Sequence, residues 1–143
     1  MNQSATQLVP QGAYRTAVRH GDLIFSSGMT PRRGGVLIYT GRMRAADPVE
    51  AHQDAVVLAT LNALTAVQGC LAEGERIAVV VQLTVFLNSE PEFIAHSKVA
   101  DFASATLIEQ LGPDCIGSRA AIGVASLPAQ APVEITIVAS VVR

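Results

Sequence analysis

Arg119 is a permanent cation at the head of a run of small apolar residues, 120–127, that reads as a buried strand. A guanidinium keeps its charge at any relevant pH, so seating it there calls for an anion to offset its desolvation. The nearest downstream carboxylate is Glu134, which opens a second apolar run over residues 134–142. Two arrangements meet that need. In one, Arg119 and Glu134 form a structural ion pair at the ends of two strands; in the other, Arg119 belongs to a binding site for a small carboxylate. Spacing alone leaves both open.

The other reactive side chains are scattered. Cys70 and Cys115 lack the paired spacing of a metal site or a secreted disulfide scaffold, so they read as free thiols of a reducing compartment. His20 falls in a hairpin turn and His52 in the first turn of a helix, neither with a spaced partner, and no metal is expected. His96 and Lys98 sit near the start of a second helix, where a solvated face competes with a cleft lining. Arg32, Arg33, Arg42 and Arg44 flank a short hairpin, where contact with phosphate competes with a solvated loop or subunit salt bridges, and the latter are favoured. Gly34-Gly35 lacks the strand-loop-helix context of a phosphate cradle.

The elements that must hold these residues follow from pattern. The chain has 143 residues, enough for one domain with a core that needs no metal or disulfide, and 1–143 is read as that domain with 1–11 a flexible N-terminal segment. Half the residues are hydrophobic and 4% aromatic, with no Trp, so the core is Ala, Val, Leu and Ile rather than a stacking platform for single-stranded nucleic acid. Residues 1–44 carry a charge of +5 and the rest −7, opposed patches that favour self-association as readily as a polyanion. Residues 1–7 have neither a basic start nor an apolar run, and no segment has the length to cross a bilayer, so a soluble, cytoplasmic protein is expected.

Residues 14–18 and 23–27 predict a hairpin turning at His20-Gly21-Asp22, followed by a short strand over 36–39. Asp47-Pro48-Val49-Glu50 reads as a capping box opening a long helix, whose stripe runs through Val57, Leu61, Leu64 and Leu71 beside Ala51, Ala55, Ala59 and Ala63. Residues 77–87 predict a central, continuously apolar strand. Glu90-Pro91-Glu92 predicts the start of a second helix, stopped by Gly112-Pro113, and two last strands complete the chain. The order implies an α+β layer with both helices on one sheet face, and the apolar far face needs a cover, which another subunit would supply.

Three segments resemble the RidA/YjgF reactive-intermediate deaminase family, also labelled L-PSP endoribonucleases. They are Phe25-Ser26-Ser27-Gly28 before a Pro-containing loop, Val85-Phe86-Leu87 before the second helix, and Ser118-Arg119-Ala120-Ala121-Ile122-Gly123 through Leu127-Pro128 to Val133-Glu134-Ile135. The resemblance spans residues 14–142. It implies a chorismate-mutase-like fold with a mixed six-stranded sheet, assembled as a homotrimer with its sites in the clefts between subunits. It gives Arg119 the carboxylate of an amino-acid-derived imine or enamine, and Glu134 the attacking water. Tyr14, Ser27, Gly28 and the backbone at Ala121 become substrate contacts. The implied chemistry is hydrolysis to a 2-oxo acid and ammonia with no cofactor.

Two positions depart from the usual pattern: Ser97 stands where a well-known branch has asparagine, and Ala121 where cysteine is common. The loop 109–117 and His96-Ser97-Lys98-Val99 resemble a longer branch of the family. Three functions are carried forward: a deaminase, a non-catalytic binder of a small carboxylate or carbonyl metabolite in the same cleft, and an endoribonuclease. The last fits an acidic chain without interleaved aromatic and basic residues poorly.

Overall fold

The computed structural model describes residues 8–143; of the expected N-terminal segment 1–11, residues 1–7 lie outside the described ones. The chain runs β1 (Ala17–His20), β2 (Leu23–Ser26), β3 (Arg32–Arg33), β4 (Val36–Leu37), α1 (Gln53–Gln68), β5 (Arg76–Asn88), α2 (His96–Leu111), β6 (Ile116–Val124) and β7 (Val133–Val142). Five strands form one mixed sheet in the order β1-β2-β7-β5-β6, with β5 and β6 parallel and the other neighbours antiparallel. The crossovers β2 to β5 through α1 and β5 to β6 through α2 step the same way across the sheet. Right-handed paths therefore put both helices on one face.

The sheet holds five strands rather than the six expected, because the short third strand leaves it. It pairs with Arg32–Arg33 as a separate ribbon. Gly34 and Gly35 both take positive φ, 61° and 83°, the backbone that a tight two-residue turn between short strands requires. Asn62 of α1 then holds the ribbon by donating to Thr30 O at 3.0 Å and Arg32 O at 2.9 Å.

Both helices begin later than their acidic residues suggest. Residues Val49–His52 form a turn of 3-10 helix ahead of α1. Asp47 accepts from the Arg44 N–H at 2.8 Å, closing the preceding turn rather than capping the helix. Glu90 likewise accepts from the Ala45 N–H at 2.6 Å, and α2 starts only at His96 with no acid in its first turn.

Strand β7 shows how the layers sort. Val133, Ile135, Ile137 and Ala139 are buried under the helices, whereas Glu134, Thr136, Val138 and Ser140 alternate onto the open face. On β5 two register shifts, after Ile77 and after Val80, keep Ile77, Val80 and Leu83 on the core side at three-residue spacing. Helix α1 buries Val56, Ala59, Thr60, Ala63, Leu64 and Val67. Of the expected stripe, Ala55, Ala59, Ala63 and Leu64 are buried, whereas Val57 and Leu61 are only half-buried and Leu61 lines a cavity. The open face carries Phe25 at 43% and Ile122 at 41% exposure, apolar surface that the described residues leave uncovered. At the sheet's other end, Arg19 grips Glu75 through both terminal nitrogens, at 2.5 and 2.9 Å, tying the first hairpin to the turn before β5.

Candidate functional site

Arg119 and Glu134 do not pair. Arg119 lies on edge strand β6, opposite Leu83, and its side chain runs to the helix side. Its Nη1 donates to Asp101 Oδ1 at 2.8 Å and Ser104 Oγ at 3.0 Å, and its Nη2 donates to Ser97 Oγ at 2.9 Å. The anion that answers its charge is Asp101. Ser97, Asp101 and Ser104 stand at i, i+4 and i+7 on α2, one helical stripe aimed at one strand position. That spacing was the signal available in sequence for Asp101 and Ser104, two partners that the pattern of strands alone does not reveal. Ala121 follows on the same side of β6, half-buried, and His96 packs onto Gly123 farther along.

Glu134 occupies the opposite face. It sits opposite Phe86 near the start of β7, half-buried, and burial pushes its carboxyl above the ordinary carboxylate pKa. Met29 and Ile135 exchange backbone hydrogen bonds, both 2.8 Å, which draws the preceding Gly28 against β7. A Cβ at Gly28 would fall inside the Glu134 carboxyl, so only glycine leaves the acid room. Ser27 is committed to the fold: its N–H donates to Thr16 O at 2.9 Å and its Oγ to Arg15 O at 2.5 Å. Tyr14 is exposed, its hydroxyl accepting from the Gln11 N–H at 3.1 Å, and together with Gly28 it lines a cavity.

The seven sequence candidates thus fall into two groups. Tyr14, Ser27, Gly28 and Glu134 gather around the start of β7, while Arg119, Ala121 and Ser97 gather between β6 and α2. A half-buried acid of raised pKa can take a proton from water nearer neutral pH than an exposed one. A guanidinium offers two parallel donors to a carboxylate, in competition with Asp101. His52 and His96 each stack edge-on against Phe93, with centroids 6.1 and 5.1 Å away. No group of His, Cys, Asp or Glu among the described residues could hold a metal, and no described helix is long and apolar enough to cross a membrane.

The family model described as Endoribonuclease L-PSP matches residues 4–141. Protein TCP17 of Trypanosoma cruzi is 35% identical over 130 residues, which cover 88% of this chain and 79% of that one. A candidate endoribonuclease from Shewanella oneidensis, solved as a crystal structure, is 30% identical, with 93% of this chain and 88% of that chain covered and a TM-score of 0.82. E. coli TdcF, crystallised with bound serine, shares the fold at a TM-score of 0.64 and 21% identity, over 92% of this chain and 90% of that one.

Proposed function

The chain belongs to the Endoribonuclease L-PSP family, and from that premise we propose that it hydrolyses reactive imines or enamines derived from amino acids. The products are a 2-oxo acid and ammonia. The observation that carries this reading is the Glu134 carboxyl, half-buried against Gly28 with its proton affinity raised. In the proposed step Glu134 takes a proton from water as the water oxygen bonds to the imine carbon. Glu134 hands that proton to the nitrogen, and as the carbinolamine O–H gives up its proton to the nitrogen and the C=O bond forms, the C–N bond breaks and ammonia leaves. Arg119 holds the substrate carboxylate, Ser97 and the Ala121 backbone border it, and Tyr14, Ser27 and Gly28 close the other side.

Because Arg119 and Glu134 face opposite ways in one chain, the reading requires Arg119 of one copy to meet Glu134 of another. A homotrimer with sites between copies does this, and the exposed Phe25 and Ile122 supply apolar surface for it. The serine bound to E. coli TdcF is a small carboxylate bearing nitrogen next to it, and the proposal carries that ligand class over to this chain. A cytoplasmic location belongs to the same reading. The second reading is a non-catalytic binder of small carboxylates, favoured by one observation: Arg119 is already held by Asp101. An assay that generates 2-aminoacrylate in situ and follows ammonia release separates the two. Release faster than the uncatalysed rate, and lost in Glu134→Gln, is the expected result; no acceleration leaves the binder.

A further inference from the structure

Beside Gly28 lies a cavity of about 260 Å³, between α1, the β3–β4 ribbon and residues 8–16. Its walls are of two kinds. Leu58, Leu61 and Met29 make an apolar side, while Arg32 and Arg33 of the ribbon line the cavity as well. No Asp or Glu is among the described lining residues, and residues 1–7 contain none. Arg32 is fixed as wall, donating through Nε to Thr30 Oγ1 at 3.2 Å and through Nη1 to Gly35 O at 2.9 Å. Arg33 is exposed and its side chain has no hydrogen-bond or ion-pair partner among the described residues. Two cations against an apolar wall without a counter-charge favour a ligand that brings an anion on a carbon stem. The volume exceeds the roughly 150 Å³ that takes up a benzene ring and falls short of the roughly 300–1,000 Å³ of drug-sized sites. A stem of a few carbons ending in a carboxylate fits that range, and a nucleotide does not.

Tyr14 and Gly28 connect this cavity to the candidate site. Gly28 has the Glu134 carboxyl against it and is also a wall of the cavity, so a ligand held at Gly28 has the cavity alongside. We infer that the cavity is the subsite for the substrate's side chain, and that it selects imines and 2-oxo acids whose side chain ends in a second carboxylate. This rests on the proposed reading of Tyr14 and Gly28 as substrate contacts. Arg33 is the specificity-determining residue: its guanidinium, without a partner among the described residues, meets the distal carboxylate, with Arg32 adding field from a fixed position.

Calorimetric titration with 2-oxoglutarate and 2-oxobutanoate tests it, since the two share a two-carbon side-chain stem and differ only in the distal carboxylate. The full chain should bind 2-oxoglutarate at least about 10-fold more tightly, and Arg33→Ala should bring the ratio close to one, as loss of a charge-assisted contact requires. Arg33→Lys should restore part of it, because charge returns without the fork. Arg33 is exposed on a two-residue strand, and matching thermal melts would show that the variants fold. Equal affinities in the unmodified chain, no binding of the dicarboxylate at millimolar concentration, or an unchanged ratio in a folded Arg33→Ala would overturn the inference. Imine hydrolysis is measured separately: no turnover with the ratio intact counts against the deaminase reading alone and leaves the subsite standing.

Discussion

Arg119 and Glu134 stand on opposite faces of one sheet, the first reaching α2 and the second lying against Gly28 on the open side. The period of two along β6 and β7 fixes this, since Leu83, opposite Arg119, is buried under the helices and Phe86, opposite Glu134, is on the other face. An ion pair within the chain is therefore replaced by two separate arrangements, a cation neutralised at the edge and an acid left in partial burial.

The edge pair predicts a separation of stability from binding. Asp101 keeps 68% of its side chain exposed, so removing its partner strands no buried charge. Arg119→Ala should then cost no more than about 1 kcal/mol of stability, the range of exposed pairs. As a carboxylate clamp, the same residue should contribute about 10- to 150-fold to the affinity for a 2-oxo acid. Asp101→Asn should raise that affinity by freeing the guanidinium. Melting curves and ligand titration of the two variants check this; a large loss of stability with unchanged affinity would make Arg119 architectural.

Glu134 predicts a pH dependence of stability with a definite sign. Burial raises its folded pKa above the unfolded value, so between the two values the folded chain binds more protons than the unfolded chain. Stability from this group is full below the unfolded pKa and is lost as pH rises through the folded one. Glu134→Gln removes that loss. Its melting temperature relative to the unmodified chain should climb as pH rises from 4 to 8, on the order of the range bracketing a raised carboxyl, while imine hydrolysis falls by about 10²-fold or more. A pH-independent difference would refute the buried acid, and unchanged hydrolysis would remove Glu134 from catalysis.

Strands β5 and β7 were legible in sequence because each is a long, nearly continuous run of apolar residues rich in β-branched side chains. The helix starts were not, since Asp47 and Glu90 carry the same residue types whether they cap a helix or close the turn before it. The third strand was legible as a strand but its sheet was not, because two residues of pairing hold no record of their neighbour. At the site, Arg119 announced itself as a charge in an apolar run. Its true counter-charge, Asp101, lay upstream on a helix, where distance along the chain conceals closeness in space. The faces of Arg119 and Glu134 depend on the phase of two separate strands, and the register that fixes them comes from β5 between them.

Glu75 predicts an acid-side transition. Its hydrogen-bonded contact with the Arg19 guanidinium, aided by the Ala72 N–H, holds its carboxyl down to about 2. A depressed carboxyl contributes stability above its unfolded pKa and loses it as pH falls through the folded one. Glu75→Gln should therefore be less stable than the unmodified chain at pH 7, with the gap closing between the ordinary carboxylate range and about pH 2. Melts in a pH series check it; a gap that persists undiminished at pH 2 would assign the effect to packing instead.

The opposed faces of Arg119 and Glu134 make the strongest prediction, because the proposed deaminase needs two copies to bring them into one site. Light scattering should give a trimer. Arg119→Ala and Glu134→Gln should each lower hydrolysis by about 10²-fold or more when assembled alone. Unfolded together and refolded as mixed trimers, they should regain activity, because a cleft can join the intact Arg119 of one variant to the intact Glu134 of the other. With random assembly of equal amounts, about one quarter of the clefts contain both, so activity should return to about a quarter of that of the unmodified protein. A site contained within one chain would give no recovery at any mixing ratio, since no single chain would carry both residues. Recovery therefore reads out the geometry itself: it depends on Arg119 and Glu134 coming from different copies and on nothing else in the mechanism. A monomer by light scattering, or mixed trimers without activity, would overturn the inter-subunit site and the deaminase reading that depends on it.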